Sequence, residues 1–320
     1  MQIPATSVKS EAKPVKRKID GVLLLDKPVG LSSNIALQKA KRLFRAEKAG
    51  HTGTLDPLAS GLLPLCFGAA TKFAQVSLDA DKAYRATLHL GQTRVGGDRE
   101  GEVLQERPVA FDAALLHASV ARLTGEIEQI PPMQSALKHQ GKALYEYARA
   151  GIEIERQPRR VCIYRLEIVE WNGPTLVLDV HCSKGTYVRT LAQDLGEMLG
   201  CGAHLSALRR TASGPLRVEQ ALTLEELAAL DEPARDTLLR PADALLQSWP
   251  EIRLPDDEAG RFLSGLRRRV RLDDMPAVRV YGPQPRAFLG SAHITGGELI
   301  ADRLLSPVEV QALLAEPSPP

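Results

Sequence analysis

The sequence predicts an α+β fold with a mixed, largely antiparallel sheet, followed by a small β-rich domain. Three observations lead there. Strand-like and helix-like segments are intermixed without the strict alternation that a doubly wound parallel sheet requires. Two long strand-like runs, RRVCIYRLEIVEW (159–171) and PTLVLDVHC (174–182), are separated by Asn172-Gly173, a dipeptide suited to closing an antiparallel hairpin. From 231 to 255 the chain carries Pro233, Pro241, Pro250 and Pro255 among acidic residues and reads as a linker, beyond which RRRVRL, AVRVYG and AFLGSAHI are short strand-like runs.

The elements follow in order. Residues 1–18 are polar and basic, contain Pro4 and Pro14 and lack periodicity, so a disordered basic arm is expected. A main domain over 19–245 and a C-terminal domain over 246–320 then divide the chain. GVLLLDKP predicts a buried strand ending at Pro28, and Ser32 or Ser33 can cap a helix through Ile35, Ala36, Ala40 and Leu43. A glycine-rich loop, Gly50 to Gly61, comes next. LLPLCF, AYRATLHL and EIEQI are strand candidates, and FDAALLHASVARL is a helix starting near Asp112. After the hairpin, TYVRTLAQDLGEMLG predicts a helix with Thr186 as N-cap and Gly200 beyond its end.

Composition narrows the function classes. No stretch approaches the ~20 apolar residues of a membrane-spanning helix, and the N-terminus lacks the apolar run of a secretory signal, so a cytoplasmic protein is expected. Cys66, Cys162, Cys182 and Cys201 form no C-x-x-C pair, which predicts reduced, mostly buried thiols and no metal. Neither G-x-x-x-x-G-K-[ST] nor G-x-G-x-x-G occurs, disfavouring phosphate-loop and dinucleotide chemistry. The net charge of +2 is too mild to prove a polyanionic partner. Basic residues cluster, however, in the N-terminal arm, over Lys39–Lys48 and over Arg267–Arg271.

The most informative segment is GHTGTLDPLASG, Gly50 to Gly61. Asp56 precedes Pro57, which biases it toward an extended or turn conformation. Two readings stand side by side: Asp56 bonds its own backbone in a turn, or Gly53 and Gly61 let the backbone approach a ligand while Asp56 projects into a cleft.

GVLLLDKPVGLSSN, HTGTLDPLASGLLPLCFGAATK, IPPMQSALKHQGKALYEYARAGI and HCSKGTYVRTLAQDLGEMLGCGAHLSALRRTASG together resemble the signature blocks of the bacterial tRNA pseudouridine-55 synthases. The resemblance runs from about Asp20 to Gly214, roughly two thirds of the chain. It implies a pseudouridine-synthase catalytic domain, with the C-terminal domain resembling a PUA-like RNA-binding module. The implied activity is isomerisation of a T-loop uridine in tRNA: the bond from N1 to C1′ breaks, the base turns, and C5 bonds to C1′.

By resemblance Asp56 is the catalytic carboxylate, acting as nucleophile at C1′ or at C6 or stabilising a charged sugar. Arg189 matches the arginine that pairs with it, since desolvation alone would neutralise the acid. Tyr84 matches the tyrosine lying against the target base, with its hydroxyl placed for proton movement at C5. Tyr187 and Leu208 match other pocket residues. His51 matches the histidine that fills the T-loop stack when the target nucleotide is extruded. Lys27 is expected to support the site or an RNA phosphate. At 94–97, Arg94-Val95-Gly96-Gly97 departs from the family, which usually places an acidic residue there; only the later one, Asp98, is kept.

The resemblance implies tRNA, through its T-arm, as partner, with no cofactor, no metal, no membrane, no obligatory protein partner and a monomeric chain; accessory tRNA folding is compatible with catalysis. Two other readings are a guide-RNA-dependent synthase and a non-catalytic RNA-binding or tRNA-chaperone module. Retention of Asp56, Tyr84 and Arg189 together argues against the last, because binding a polyanion does not require a carboxylate.

Overall fold

A computed structural model describes residues 15–283 and 287–315. In chain order the strands are β1 (Gly21–Lys27), β2 (Ala49–His51), β3 (Ala59–Phe67), β4 (Lys82–Leu90), β5 (Gln92–Arg94), β6 (Val103–Glu106), β7 (Gly125–Gln129), β8 (Lys138–His139), β9 (Lys142–Ala143), β10 (Arg159–Asn172), β11 (Thr175–Cys182), β12 (Ala203–Ser213) and β13 (Leu216–Arg217). The C-terminal part adds β14 (Glu251–Arg253), β15 (Arg268–Arg269), β16 (Met275–Tyr281), β17 (Phe288–Thr295) and β18 (Glu298–Leu304). The helices used below are α1 (Ser33–Leu43), α2 (Ala74–Asp79), α3 (Ala113–Arg122) and α4 (Val188–Met198).

The main sheet runs β1-β3-β12-β4-β11-β10-β7, with β2 on β3 and β13 on β12. Every pair is antiparallel except β12 on β3. The second sheet runs β14-β16-β17-β18-β15. The fold is therefore α+β with a mixed, largely antiparallel sheet and a β-rich C-terminal part, as the sequence predicts.

Residue chemistry explains the placement. β1 is apolar from 21 to 25 because both of its faces are covered there. Leu23 and Leu25 pack with Ala36, Leu37 and Ala40 of α1, whereas Val22 and Leu24 meet Ala244 and Leu245. Alternation in β11 buries Leu176, Leu178 and Val180 against Leu191, Ala192 and Leu195 of α4. Gly173 has φ +56°, the left-handed conformation that the hairpin turn requires. Ser32 caps α1 by accepting from Ile35 N, and Asp112 caps α3 by accepting from Leu115 N.

Several expectations are corrected. The stretch 231–255 is not an open linker: Ala242, Ala244, Leu245 and Leu246 are buried. The helix α4 starts one residue late, with Tyr187 at the N-cap position, because the Thr186 hydroxyl donates to Ser183 O at 2.9 Å instead. Of the basic arm, residues 1–14 lie outside the described residues. Arg17, by contrast, bridges to Ala46 and pairs with Glu232 and Asp236, so the end of that stretch belongs to the fold.

The glycine-rich loop is shorter than expected, since β2 and β3 take both ends of it. RRRVRL yields only the two residues of β15. The central strand β12 has no counterpart among the predicted elements.

The C-terminal sheet shares a core with the main one. Phe73 packs against Phe288, ring centroids 5.0 Å apart, and Ala69, Phe73 and Leu246 lie in one cluster with Val278, Val280 and Ile294. Lys72 Nζ reinforces this, donating to Leu304 O at 3.0 Å and to Glu309 at 2.6 Å.

Candidate active site

Asp56 sits in the short connection between β2 and β3, held from both sides. Leu55 and Leu58, 3% and 2% exposed, anchor it in the core. The buried Ser33 hydroxyl accepts from Leu55 N at 2.7 Å and donates to Leu55 O at 3.0 Å, tying the loop to the start of α1. Thr52 N donates to Pro64 O, and Gly30 N to Pro57 O. A pre-proline residue between two buried leucines has little freedom, so the carboxylate is aimed rather than mobile. Of the two sequence readings, projection into a cleft is the observed one. Gly61 does not open the backbone to a ligand as expected, however; it packs against the main chain of Arg210, while Gly53, beside the Arg210 guanidinium, borders the cleft that Asp56 faces.

Arg189, at the start of α4, meets Asp56 with Nη2 3.1 Å from Oδ2. Its side chain is only 5% exposed, and Nη1 lies 3.6 Å from Asp98 Oδ2. Main-chain acceptors complete the cage: Nη1 donates to Gly96 O at 3.2 Å and Nη2 to Gln134 O at 2.7 Å. At the family departure, then, a backbone carbonyl of Gly96 serves Arg189. Loss of hydration pushes the Asp56 pKa upward; the Arg189 charge pulls it back, Asp98 adds to the rise, and Lys27 opposes it. The net direction is upward, so the counter-ion offsets burial only in part.

A hollow of about 300 Å³ opens beside Asp56, within the range of small-ligand sites. Asp56, Tyr84, Tyr187, Arg189 and Leu208 all line it, brought together from a loop, two strands and the N-terminal end of a helix. Tyr84 points from β4 and packs on both flanking apolar clusters. Burial raises its phenol pKa, against which the nearby Arg210 charge works. Leu208 stands on β12 between Ala59 and Ala86. The Tyr187 main chain is clamped by the Gln129 side chain, which accepts from its N at 3.0 Å and donates to its O at 3.3 Å. The Arg159 guanidinium lies 4.7 Å from the Tyr187 ring centroid.

His51 and Lys27 do not line the hollow. Lys27 is fully buried, and Nζ donates to Pro28 O at 2.8 Å and Leu31 O at 2.7 Å, so it braces the loop after β1 and cannot meet an RNA phosphate. Burial lowers its pKa to about 8, with Asp56 pulling the other way. The His51 pKa is also lowered, by burial and then by Arg210, which keeps the ring neutral, and Nδ1 has no partner.

Sequence reasoning missed Asp98 as a partner of Arg189, and missed Gln129, Arg159 and Arg210 altogether. The signal for Arg210 was a pair of adjacent arginines in an otherwise strand-like stretch, of which Arg209 pairs with Asp26 while Arg210 is 1% exposed.

Family comparison agrees along the chain. A model described as TruB family pseudouridylate synthase (N terminal domain) matches residues 41–188. One described as tRNA pseudouridylate synthase B C-terminal domain matches 189–247, and one described as pseudouridine synthase II TruB, C-terminal, matches 250–305. A protein of Chromobacterium violaceum named tRNA pseudouridine synthase B is 54% identical over 300 residues, covering 93% of this chain and 98% of that one. One of the same name from Thiobacillus denitrificans is 56% identical over 297 residues, covering 93% and 99%. Among solved structures, a Cbf5-Nop10-Gar1 complex matches with a TM-score of 0.70 at 26% identity, covering 90% of this chain and 86% of that chain. An archaeal box H/ACA sRNP Nop10-Cbf5 complex, at 24% identity and a TM-score of 0.68 over 91% and 87%, shares the fold.

Proposed function

Because the chain belongs to the TruB family of pseudouridylate synthases, we propose that it isomerises a uridine in the T-loop of tRNA to pseudouridine, with Asp56 as the catalytic carboxylate. The observation that carries the assignment of Asp56 is the Asp56–Arg189 pair at the wall of the hollow. A carboxylate beside a buried guanidinium can be kept ionised where water is excluded, as a nucleophile or a stabiliser of a sugar cation must be.

The reaction conserves atoms: the N1–C1′ bond breaks, the C5–C1′ bond forms, and the C5 proton leaves as N1 takes one up. No oxidation, hydrolysis or group transfer occurs. Tyr84 and Leu208 flank the uracil, with the Tyr84 hydroxyl near C5, and Tyr187 closes the pocket. The target nucleotide must leave its stack to reach Asp56, at a cost of a few kcal/mol. A neutral His51 is suited to taking its place, since an uncharged ring enters a base stack without stripping water from a charge. The relatives named tRNA pseudouridine synthase B, 54% and 56% identical over nearly their whole length, support tRNA as the substrate.

The test is incubation of purified protein with unmodified tRNA transcript and with a T-arm stem-loop, with pseudouridine mapped by carbodiimide-dependent primer extension. Modification of the T-loop in both is expected, more weakly in the stem-loop. No product in either RNA overturns the assignment. Product in whole tRNA alone overturns the account of His51, because recognition then depends on the wider tRNA shape.

A further inference from the structure

Gln129 ends β7 with its side chain buried, 1% exposed. Among the described residues its amide bonds only the main chain of Tyr187: Oε1 accepts from Tyr187 N at 3.0 Å, and Nε2 donates to Tyr187 O at 3.3 Å. A primary amide carries donor and acceptor side by side and engages a residue as a neighbouring strand would. Burying it without those bonds would be costly, and a core that needed only volume at this point would be served by leucine or methionine.

Tyr187 stands where α4 begins, and no side chain caps that end. The first N–H groups of a helix lack partners within it, and the Thr186 hydroxyl is committed to Ser183 O. Gln129 holds this end of the helix instead. Two further contacts come from the same part of the chain. Arg159, directly opposite Gln129 in the β7–β10 register, lies 4.7 Å from the Tyr187 ring centroid. Beyond Pro131 and Pro132, whose rings stiffen the path, the Gln134 carbonyl accepts from Arg189 Nη2 at 2.7 Å. That nitrogen is the one 3.1 Å from Asp56 Oδ2.

We propose that Gln129 is a positioning residue for the isomerisation: it seats the first turn of α4 against the 129–134 stretch, so that the Tyr187 ring walls the hollow and Arg189 reaches Asp56. Gln129 does not line the hollow, so it acts only through the residues it seats. The inference rests on the reading that Asp56, Arg189 and Tyr187 form the uridine site.

The test compares Gln129→Met with the parent chain, and with Arg189→Gln as reference, by single-turnover rate at saturating T-arm RNA, T-arm affinity and the pH dependence of the rate. Methionine keeps the volume and loses both bonds. Turnover is expected to fall roughly a hundredfold, the scale of a misplacement of about 1 Å, with affinity unchanged. The acid limb should move to higher pH, in the direction expected of Arg189→Gln, because the guanidinium no longer sits squarely against Asp56. A variant that melts lower yet keeps the parent's rate and acid limb overturns the proposal, since Gln129 then serves stability alone; so does a loss confined to affinity. If Gln129→Met does not fold, the parent decides: the Tyr187 amide proton, tied to a buried side chain, should exchange slowly by NMR, and exchange as fast as an exposed amide refutes the contact. An Arg189→Gln enzyme with full activity refutes the reading of the site and the inference with it, whereas a slowed Arg189→Gln beside an unaffected Gln129→Met removes Gln129 alone.

Discussion

Asp56 and Arg189 are joined by a 3.1 Å ion pair in which the guanidinium is buried and the carboxylate faces an open hollow. The positive partner is therefore fixed, and the negative one is available for chemistry.

Asp56→Asn should abolish pseudouridine formation, by roughly a thousandfold or more, and leave T-arm affinity close to that of the parent. The amide keeps the volume and loses the charge. Filter binding beside a single-turnover assay separates the two effects, and near-normal turnover would refute the role of Asp56.

The acid limb of the rate profile should lie above the range of an ordinary aspartate, because burial raises the Asp56 pKa. Activity needs the ionised carboxylate, so it is lost as pH falls through that raised value. Arg189 lowers the pKa, and Arg189→Gln should accordingly move the limb to higher pH as well as slow the reaction. A pH–rate series on both proteins tests this. A limb that stays in place means another group titrates.

Lys27 should give the fold a measurable pH dependence on the alkaline side. Its pKa is lowered to about 8 in the folded chain from the ordinary lysine value of 10.5. Between those values the unfolded chain binds the proton and the folded one does not, so this group adds stability as pH rises. Urea unfolding of the parent and Lys27→Met at pH 7.5 and pH 10 should show the parent gaining on the variant at the higher pH. The matching shift of Lys82 is common to both proteins and cancels.

Within the basic run of the C-terminal sheet, Arg267 pairs with Glu298 and Arg268 with Glu258, while Arg269 and Arg271 are exposed. If this surface meets phosphates, Arg269→Gln should reduce the slope of log affinity against log salt by about one, with turnover at saturation unaffected. Affinity titrations over a salt series decide it; an unchanged slope identifies the arginine as a solvated side chain.

Phe73→Ala should destabilise the chain by about 3–5 kcal/mol, the usual range for a buried phenylalanine, although Phe73 lies far from the C-terminal sheet in sequence. A chain ended near residue 247 should likewise melt earlier than the full one, because Ala69, Phe73 and Leu246 lose their cover. Thermal melts at matched concentration are sufficient, and an equally stable truncated chain would mean that the two sheets fold independently.

The hairpin over 159–182 was legible because alternation and the Asn172-Gly173 turn point the same way. β12 was not legible: Arg209 and Arg210 interrupt its apolar pattern, and main-chain acceptors supplied by Leu62 and Gly53 make Arg210 tolerable at the centre of a sheet. The Pro-rich stretch before 255 misled for a related reason, since its buried alanines and leucines gain their cover from β1, more than two hundred residues earlier. Asp56, Tyr84 and Arg189 came from family resemblance. Their convergence on one hollow is a property of sheet order that no local pattern encodes.

That sheet order bears on how the chain is made. β3 and β4 are consecutive strands of the main sheet, yet β12 lies between them, and β12 ends at Ser213, more than a hundred residues after β4. On a ribosome adding ~5–20 residues per second, the facing edges of β3 and β4 wait on the order of ten seconds for the strand that joins them. During that interval the edge of β4, and the 59–61 stretch of the β3 edge that β2 leaves uncovered, are open to foreign strands. The nascent chain is thus most exposed to misassembly before Arg210 has been synthesised, and the strand carrying that arginine is also the one that closes the sheet.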